Sequence, residues 1–244
     1  MTSPVPAIES MVAAPPRRAW ELVRKQGGAL ALALALVLGA IRYPGFLTPE
    51  NVLNVLRQNS MLGLVALGMT FVIVAGAIDL SVGAVLALSG VVAAHVAAHG
   101  TLAALLAGIG TGAMLGTLNG TLVTRGRMPA FVVTLATMIA ARGAALGLSG
   151  ETSVRLPAAE RGLVWLGRGW LGPVPVPVVL LFAAYLAGWI VLRHTRFGRH
   201  VHAVGDDVDA ARLLGLAVPN VLLATFALSG ALAGLAGVVL AGRL

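Results

Sequence analysis

Few residues in this 244-residue chain could do chemistry, and their settings limit what that chemistry is. Lys25 is the sole lysine, and it stands in Arg24-Lys25-Gln26. A phosphate-cradling loop needs Gly-x-x-x-x-Gly-Lys followed by Ser or Thr, so that backbone N–H groups and an ammonium converge on phosphate. No segment meets that pattern, and no ATP site of this type is expected in the chain. There are no cysteines, which excludes disulfides and thiolate-held metals. His95 and His99 are one helical turn apart and would share a face. No carboxylate stands between them and no third ligand lies near, so the zinc-protease pattern fails. They read as two histidines near a helix end, and neither a catalytic residue nor a metal site is assigned.

What remains are polar groups in apolar surroundings. Asp79 lies in Gly76-Ala77-Ile78-Asp79-Leu80-Ser81-Val82-Gly83. An acid followed two residues later by Ser suits a helix start, where either side chain can take exposed N–H groups and the acid complements the helix dipole. Arg142 interrupts the apolar run Met128 to Leu148. It either faces a water-filled path or reaches outward to the interface. Asp79, Ser81, Asn119 and Arg142 are therefore the candidates for a solute path or gate. The segment 193–219 is the most polar stretch between apolar runs. It contains Arg196-Phe197-Gly198-Arg199, then Gly205, Asp206 and Asp207. Asp209-Ala210-Ala211-Arg212-Leu213-Leu214 reads as a short helix, with Asp206 or Asp207 as its cap and Gly215 as its terminator. Such a helix is either a rigid handle for a partner or simply a solvated loop.

These groups must be positioned by membrane helices. Hydrophobic residues make up 58% of the chain and charged residues 11%, too little charge to cover a soluble surface. Between Leu80 and Thr124 no charged residue occurs, enough for two crossings at about 20 residues each. The expected class is all-α, a polytopic transmembrane helix bundle of about seven spans. The spans are Gly27–Ile41, Ser60–Ile78, Val82–Ala98, Thr101–Val123, Met128–Leu148, Val176–Leu192 and Asn220–Leu240. The first is short and also fits the apolar part of a signal peptide, though Leu38 occupies a position where cleavage wants a small residue. Met1 to Gln26 reads as a polar cytoplasmic lead. Residues 27–244 form one membrane domain, with 193–219 as a cytoplasmic loop. A short amphipathic helix, Glu50 to Gln58, is expected to lie at the interface after Pro44 and Pro49. Ser149 to Pro175 is expected to be a long loop.

The net charge of +8 follows the loops. With the N-terminus inside, the cytoplasmic set is Arg17, Arg18, Arg24, Lys25, Arg125, Arg127, Arg193, Arg196, Arg199 and Arg212. The outer set, Arg42, Arg57, Arg155, Arg161 and Arg168, is half as large, which favours that orientation. No basic patch is interleaved with aromatics, so nucleic acid is not an expected partner. Gly108, Gly112, Gly116 and Gly120 repeat every fourth residue, a face on which helix backbones can approach closely. Gly230 and Gly234 repeat the spacing once.

From about Asn51 onward the chain resembles the permease subunits of ribose/xylose/arabinose-type ABC importers. The resemblance runs through Asn51-Val52-Leu53-Asn54-Val55-Leu56-Arg57-Gln58, Gly68-Met69-Thr70-Phe71-Val72-Ile73 and the Gly76–Gly83 motif. It continues in Arg125-Gly126-Arg127-Met128-Pro129-Ala130-Phe131, Arg142-Gly143 and His194-Thr195-Arg196-Phe197-Gly198-Arg199. It implies a bacterial inner-membrane protein that pairs with a second permease subunit, identical or not. A cytoplasmic ABC ATPase would hold the ATP and Mg and grip the 193–219 loop, making its short helix the coupling helix. A periplasmic sugar-binding protein would deliver a monosaccharide such as a ribose-like pentose. The chain itself would carry no cofactor and would otherwise meet only membrane lipid. It departs from the family in having Asp206-Asp207 where Gly then Asn is usual. Family members also continue past the equivalent of Leu244, so the resemblance implies an incomplete permease that may be a non-transporting fragment. A related permease for branched-chain amino acids is the nearest rival, and Ile-Asp-Leu-Ser favours sugar. A proton- or sodium-coupled carrier would show paired mid-membrane carboxylates, and Asp79 has no such partner.

Overall fold

Apolar residues with few breakers dictate long helices, and Gly, Pro and short polar pairs decide where they stop. The computed structural model describes residues 17–152, 154, 156 and 160–244. Residues 1–16 of the expected lead and Arg155 of the expected outer set lie outside the described residues. Two compact units divide the chain, Met1–Val52 and Leu53–Leu244.

In the first unit, α1 spans Arg17–Arg42 with non-helical angles at Gln26 (φ −129°, ψ 18°). The last part of the expected lead, from Arg17, is therefore helical. The apolar part, Gln26–Arg42, is shorter than the other membrane-length helices. After it, Gly45 takes φ +81°, and Asn51 Nδ2 donates to the Phe46 carbonyl at 2.7 Å, closing the turn.

Among the described residues six helices are long and apolar enough to cross a membrane. They are α2 (Pro49–Val74), α3 (Val82–Val96, with a 3₁₀ turn Ala97–His99), α4 (Thr101–Thr124), α5 (Ala130–Ser149), α7 (Val176–His194) and α10 (Val218–Ala241). Together with the shorter apolar helix Gln26–Arg42 they overlap the seven expected segments, although α2 begins and ends earlier than Ser60–Ile78. The short interfacial helix Glu50–Gln58 does not exist separately, because α2 runs unbroken for 26 residues. Asn59 and Ser60, which looked like a break, return their side chains to the Val55 and Arg57 carbonyls at 2.8 and 2.9 Å. Polar residues that satisfy themselves on their own helix do not interrupt it.

Two expected loops contain structure. Residues 149–175 carry α6 (Arg161–Arg168) and a small hairpin, β1 (Trp170–Leu171) with β2 (Val174–Pro175). Residues 193–219 carry two helices, α8 (Arg196–Asp206) and α9 (Val208–Leu213).

Helix α10 is the centre of the second unit and packs on α4 and α3. Gly108, Gly112, Gly116 and Gly120 are all buried against it. A Cβ at Gly120 would come 2.8 Å from Leu223 Cα, and one at Gly234 would come 2.6 Å from the Gly108 carbonyl oxygen. Gly112 and Gly230 face each other with no room for a methyl on either. Lipid is as apolar as Leu, so burial alone does not drive helices together; this backbone-to-backbone approach supplies the van der Waals contact that does. At the Gly100 end, Leu163 of α6 is fully buried against Ala93, Ala97, Ala104 and Val238. At the Arg125 end, Val201 and Val204 of α8 and Ala211 of α9 pack with Ala75, Val218 and Val221.

Candidate functional site

The connection between α2 and α3 is where the chain departs most from helix. Gly76 takes φ +79° and Ala77 N donates to the Val72 carbonyl at 3.0 Å, ending α2 in a left-handed turn. The next residues alternate: Ile78 and Leu80 face outward, while Asp79 and Ser81 face inward. Asp79 Oδ1 accepts from Ser81 N at 2.9 Å and from Ser81 Oγ at 2.6 Å. Asp79 thus takes the N–H at the start of α3, whereas the Ser81 hydroxyl makes no capping bond of its own.

That hydroxyl begins a chain of buried side chains. Asn119 Nδ2 on α4 donates to Ser81 Oγ at 3.0 Å. Thr137 Oγ1 on α5 donates to Asn119 Oδ1 at 2.6 Å. Ser229 Oγ on α10 donates to Asp79 Oδ2 at 3.3 Å. All five residues are buried, Asn119 completely. Thr137 lies about 10 Å along α5 from its start at 1.5 Å per residue, so the chain sits well inside the bundle. Non-helical backbone at this depth is tolerated only where protein or a wet cavity surrounds it. Asp79 is consequently not part of a solvated turn.

The arrangement contains one carboxylate and no histidine to activate its hydroxyls, and none of the described residues forms a cluster able to hold a metal. Its physical capacity is to tie the start of α3 to α4, α5 and α10. Of the four path or gate candidates, three (Asp79, Ser81 and Asn119) come together in this enclosed chain. Arg142 does not join them. It is exposed, in a groove of about 510 Å³ with Leu80, Ala84, Ala87, Met138 and Leu146. Thr137 and Ser229 escaped sequence reading. Their signals were weak: Thr134, Thr137, Ala141 and Ala145 form a small-residue stripe on α5, and Ser229 adjoins the Gly230/Gly234 spacing.

The second assembly is α8–α9. Thr195 Oγ1 accepts from Gly198 N at 3.2 Å and starts α8. Asp207, not Asp206, caps α9 by accepting from Asp209 N at 2.8 Å and Ala210 N at 3.0 Å. Gly215 ends it with φ +77°, and Leu216 N donates back to the Ala211 carbonyl. Gly198 and Gly205 are seated against the Leu192 and Val74 carbonyls, where no Cβ fits. Phe197 stacks on Phe71 at 6.4 Å. The module is therefore docked on the ends of α2, α7 and α10, not a free loop. Its outer surface carries Arg196, Arg199, Asp206, Asp209 and Arg212. Arg212 Nη1 pairs with Asp209 Oδ1 at 2.8 Å, both well exposed. Beyond them Leu213 and Leu214 project at 91% and 78% exposure.

Residues 51–244 match a family described as branched-chain amino acid transport system / permease component. The ribose import permease protein of Bacillus subtilis is 41% identical over 91% of this chain and 70% of its own length. The ribose import permease protein of Escherichia coli K12 is 37% identical over 93% of this chain and 71% of its own. The L-arabinose ABC transporter permease protein of Azospirillum brasilense is 33% identical over all of this chain and 72% of its own length. No solved structure matches the chain.

Proposed function

The chain belongs to the permease-component family of ABC importers and is a multi-pass membrane protein, and from that premise we propose that it moves a monosaccharide, a ribose-like pentose or similar, from periplasm to cytoplasm. The observation that carries the sugar reading is the 41% identity to a ribose import permease across 91% of the chain. The second reading, a branched-chain amino acid, has in its favour the printed description of the family.

Transport in this reading is driven from outside the chain. ATP and Mg sit on a separate cytoplasmic ATPase, a periplasmic binding protein delivers the sugar, and a second permease subunit completes the path. The ATPase grips α9 as a coupling helix. Support comes from its shape: Asp207 and Gly215 fix both ends, Ala211 anchors it, and Leu213 and Leu214 stand out as an apolar knob. Exposed leucines on a capped helix cost solubility unless a partner pocket takes them. Arg196, Arg199 and Arg212 form the polar rim around that contact.

The test is uptake of labelled ribose into vesicles carrying this chain with its ATPase and binding protein. Uptake that needs internal ATP and is competed by pentoses supports the proposal. Uptake on a proton gradient alone would overturn the ABC reading, and competition by leucine instead of pentoses would move the substrate to the amino-acid class.

A further inference from the structure

A guanidinium exposed on a membrane helix needs an explanation that lipid cannot give. Arg142 lies on α5 roughly 10 Å from the helix end at Ser149. Among the described residues it joins no ion pair; the single pair there is Arg212–Asp209. A charge of this kind facing hydrocarbon is costly. Its surroundings are a groove with one helix face on each side. Ala84, Ala87 and Val91 of α3 form one wall, and Met138, Ala145 and Leu146 of α5 the other. A second cavity of about 350 Å³ shares Ala87, Val91 and Leu146 with it and carries it on to Glu151 and Thr152 at the Gly100 end. The floor at the other end is the non-helical segment between α2 and α3, whose inward residues Asp79 and Ser81 hold the buried polar chain while Leu80 faces the groove. The groove thus opens toward one bundle end, is floored by a helix break at membrane depth, and has a single cation on its wall. Helix breaks at that depth belong beside a water-filled cavity or inside protein.

We propose that this α3–α5 groove is the chain's share of the solute site, and that Arg142 donates hydrogen bonds from its guanidinium to the hydroxyl oxygens of a neutral, hydroxyl-rich solute. The proposal rests on the sugar-importer reading. Apart from Arg142, Ala, Leu, Val and Met dominate both walls, so the solute is held weakly, as a site that must release its cargo requires. Five fixed donors suit an array of hydroxyl oxygens better than one ammonium does. With no second cation in the groove, a multiply charged anion has too little compensation there.

The absence of cysteine from the chain makes the test direct. Single variants Ala87→Cys and Leu146→Cys in the groove are compared with Leu106→Cys and Leu186→Cys, exposed apolar positions elsewhere. All are assembled with the ATPase and binding protein in vesicles and treated with a charged, membrane-impermeant thiosulfonate. The groove cysteines are expected to react at least tenfold faster than the other two, and saturating ribose to slow Leu146→Cys at least threefold. Arg142→Ala is expected to lower ribose uptake at least tenfold with ATPase association and thermal stability unchanged, and Arg142→Lys to retain more. Groove cysteines no more reactive than Leu106→Cys, or Arg142→Ala uptake within twofold of the parent, would overturn the proposal. If the unaltered assembly takes up no pentose, yet leucine protects the groove cysteines, the sugar reading fails while the groove stands as a solute site. Stronger protection by a sugar acid would overturn the neutral class.

Discussion

Replacing Asp79 by Ala removes three acceptor contacts at once. Ser81 N loses its cap, worth typically about 1 kcal/mol. The negative charge at the start of α3 contributes a further 0.3–1 kcal/mol or so. The hydroxyls of Ser81 and Ser229 lose their acceptor, and side-chain hydrogen bonds inside membrane proteins average about 0.6 kcal/mol each. Asp79→Ala is therefore expected to destabilise by about 2–3 kcal/mol, roughly a 30- to 150-fold shift toward the unfolded form at 1.4 kcal/mol per decade. Asp79→Asn keeps an acceptor toward Ser81 and turns its amide to Ser229, whose hydroxyl can accept, so it should cost less than about 1 kcal/mol. Asp79→Ala and Asn119→Ala share Ser81 and should be non-additive by about 0.5 kcal/mol or more. Unfolding of the purified chain in mixed micelles, titrated with a denaturing detergent, reads all of these. The reasoning fails if Asp79→Ala lies within about 0.5 kcal/mol of Leu106→Ala, an exposed control, or if Asn is as damaging as Ala.

Gly116→Val should destabilise by about 1–3 kcal/mol or prevent assembly of α4 with α10, because its Cβ would strike the Phe226 carbonyl; Gly110→Ala, with nothing near, should be neutral in the same thermal assay. Leu213→Asp with Leu214→Asp should abolish co-purification of the ATPase while membrane level and thermal midpoint stay at parent values. Arg212→Ala should change stability by less than about 0.5 kcal/mol, since its ion pair is exposed. Ser89 Oγ is buried without a hydrogen-bond partner, so Ser89→Ala should be neutral or stabilising by up to about 1 kcal/mol in the detergent titration.

The helices and their glycine face were legible because they depend on local composition and on a fixed period of four. An aspartate cap at 206 or 207 and Gly215 as terminator were legible for the same reason, since capping is settled within three residues; the choice of Asp207 needed the structure. The 49–74 helix was misread because Asn59 and Ser60 look polar along the chain, and only the fold shows their side chains folded back onto carbonyls. Asp79, Ser81 and Asn119 were individually suspect, but their meeting was not foreseeable: Asn119 is 38 residues from Ser81, and Ser229 is 150 from Asp79. The two-helix form of 196–213 was half seen, because Val201 and Val204 count as core only once Ala75 and Val218 are placed beside them.

The glycine face also restricts how the bundle can move. Where Gly112 meets Gly230 the two backbones touch, and a slide of even one residue would drive a side-chain-bearing neighbour into a carbonyl. Helices α4 and α10 are in this sense welded. Alternation between two states, if it is to be cheap, must use a different seam. The α3–α5 boundary is such a seam, filled by Ala84, Leu88, Ala141 and Ala145, small and smooth side chains without interlocking backbones. The Thr137–Asn119 hydrogen bond runs beside that seam as a latch, holding α5 to the welded α4.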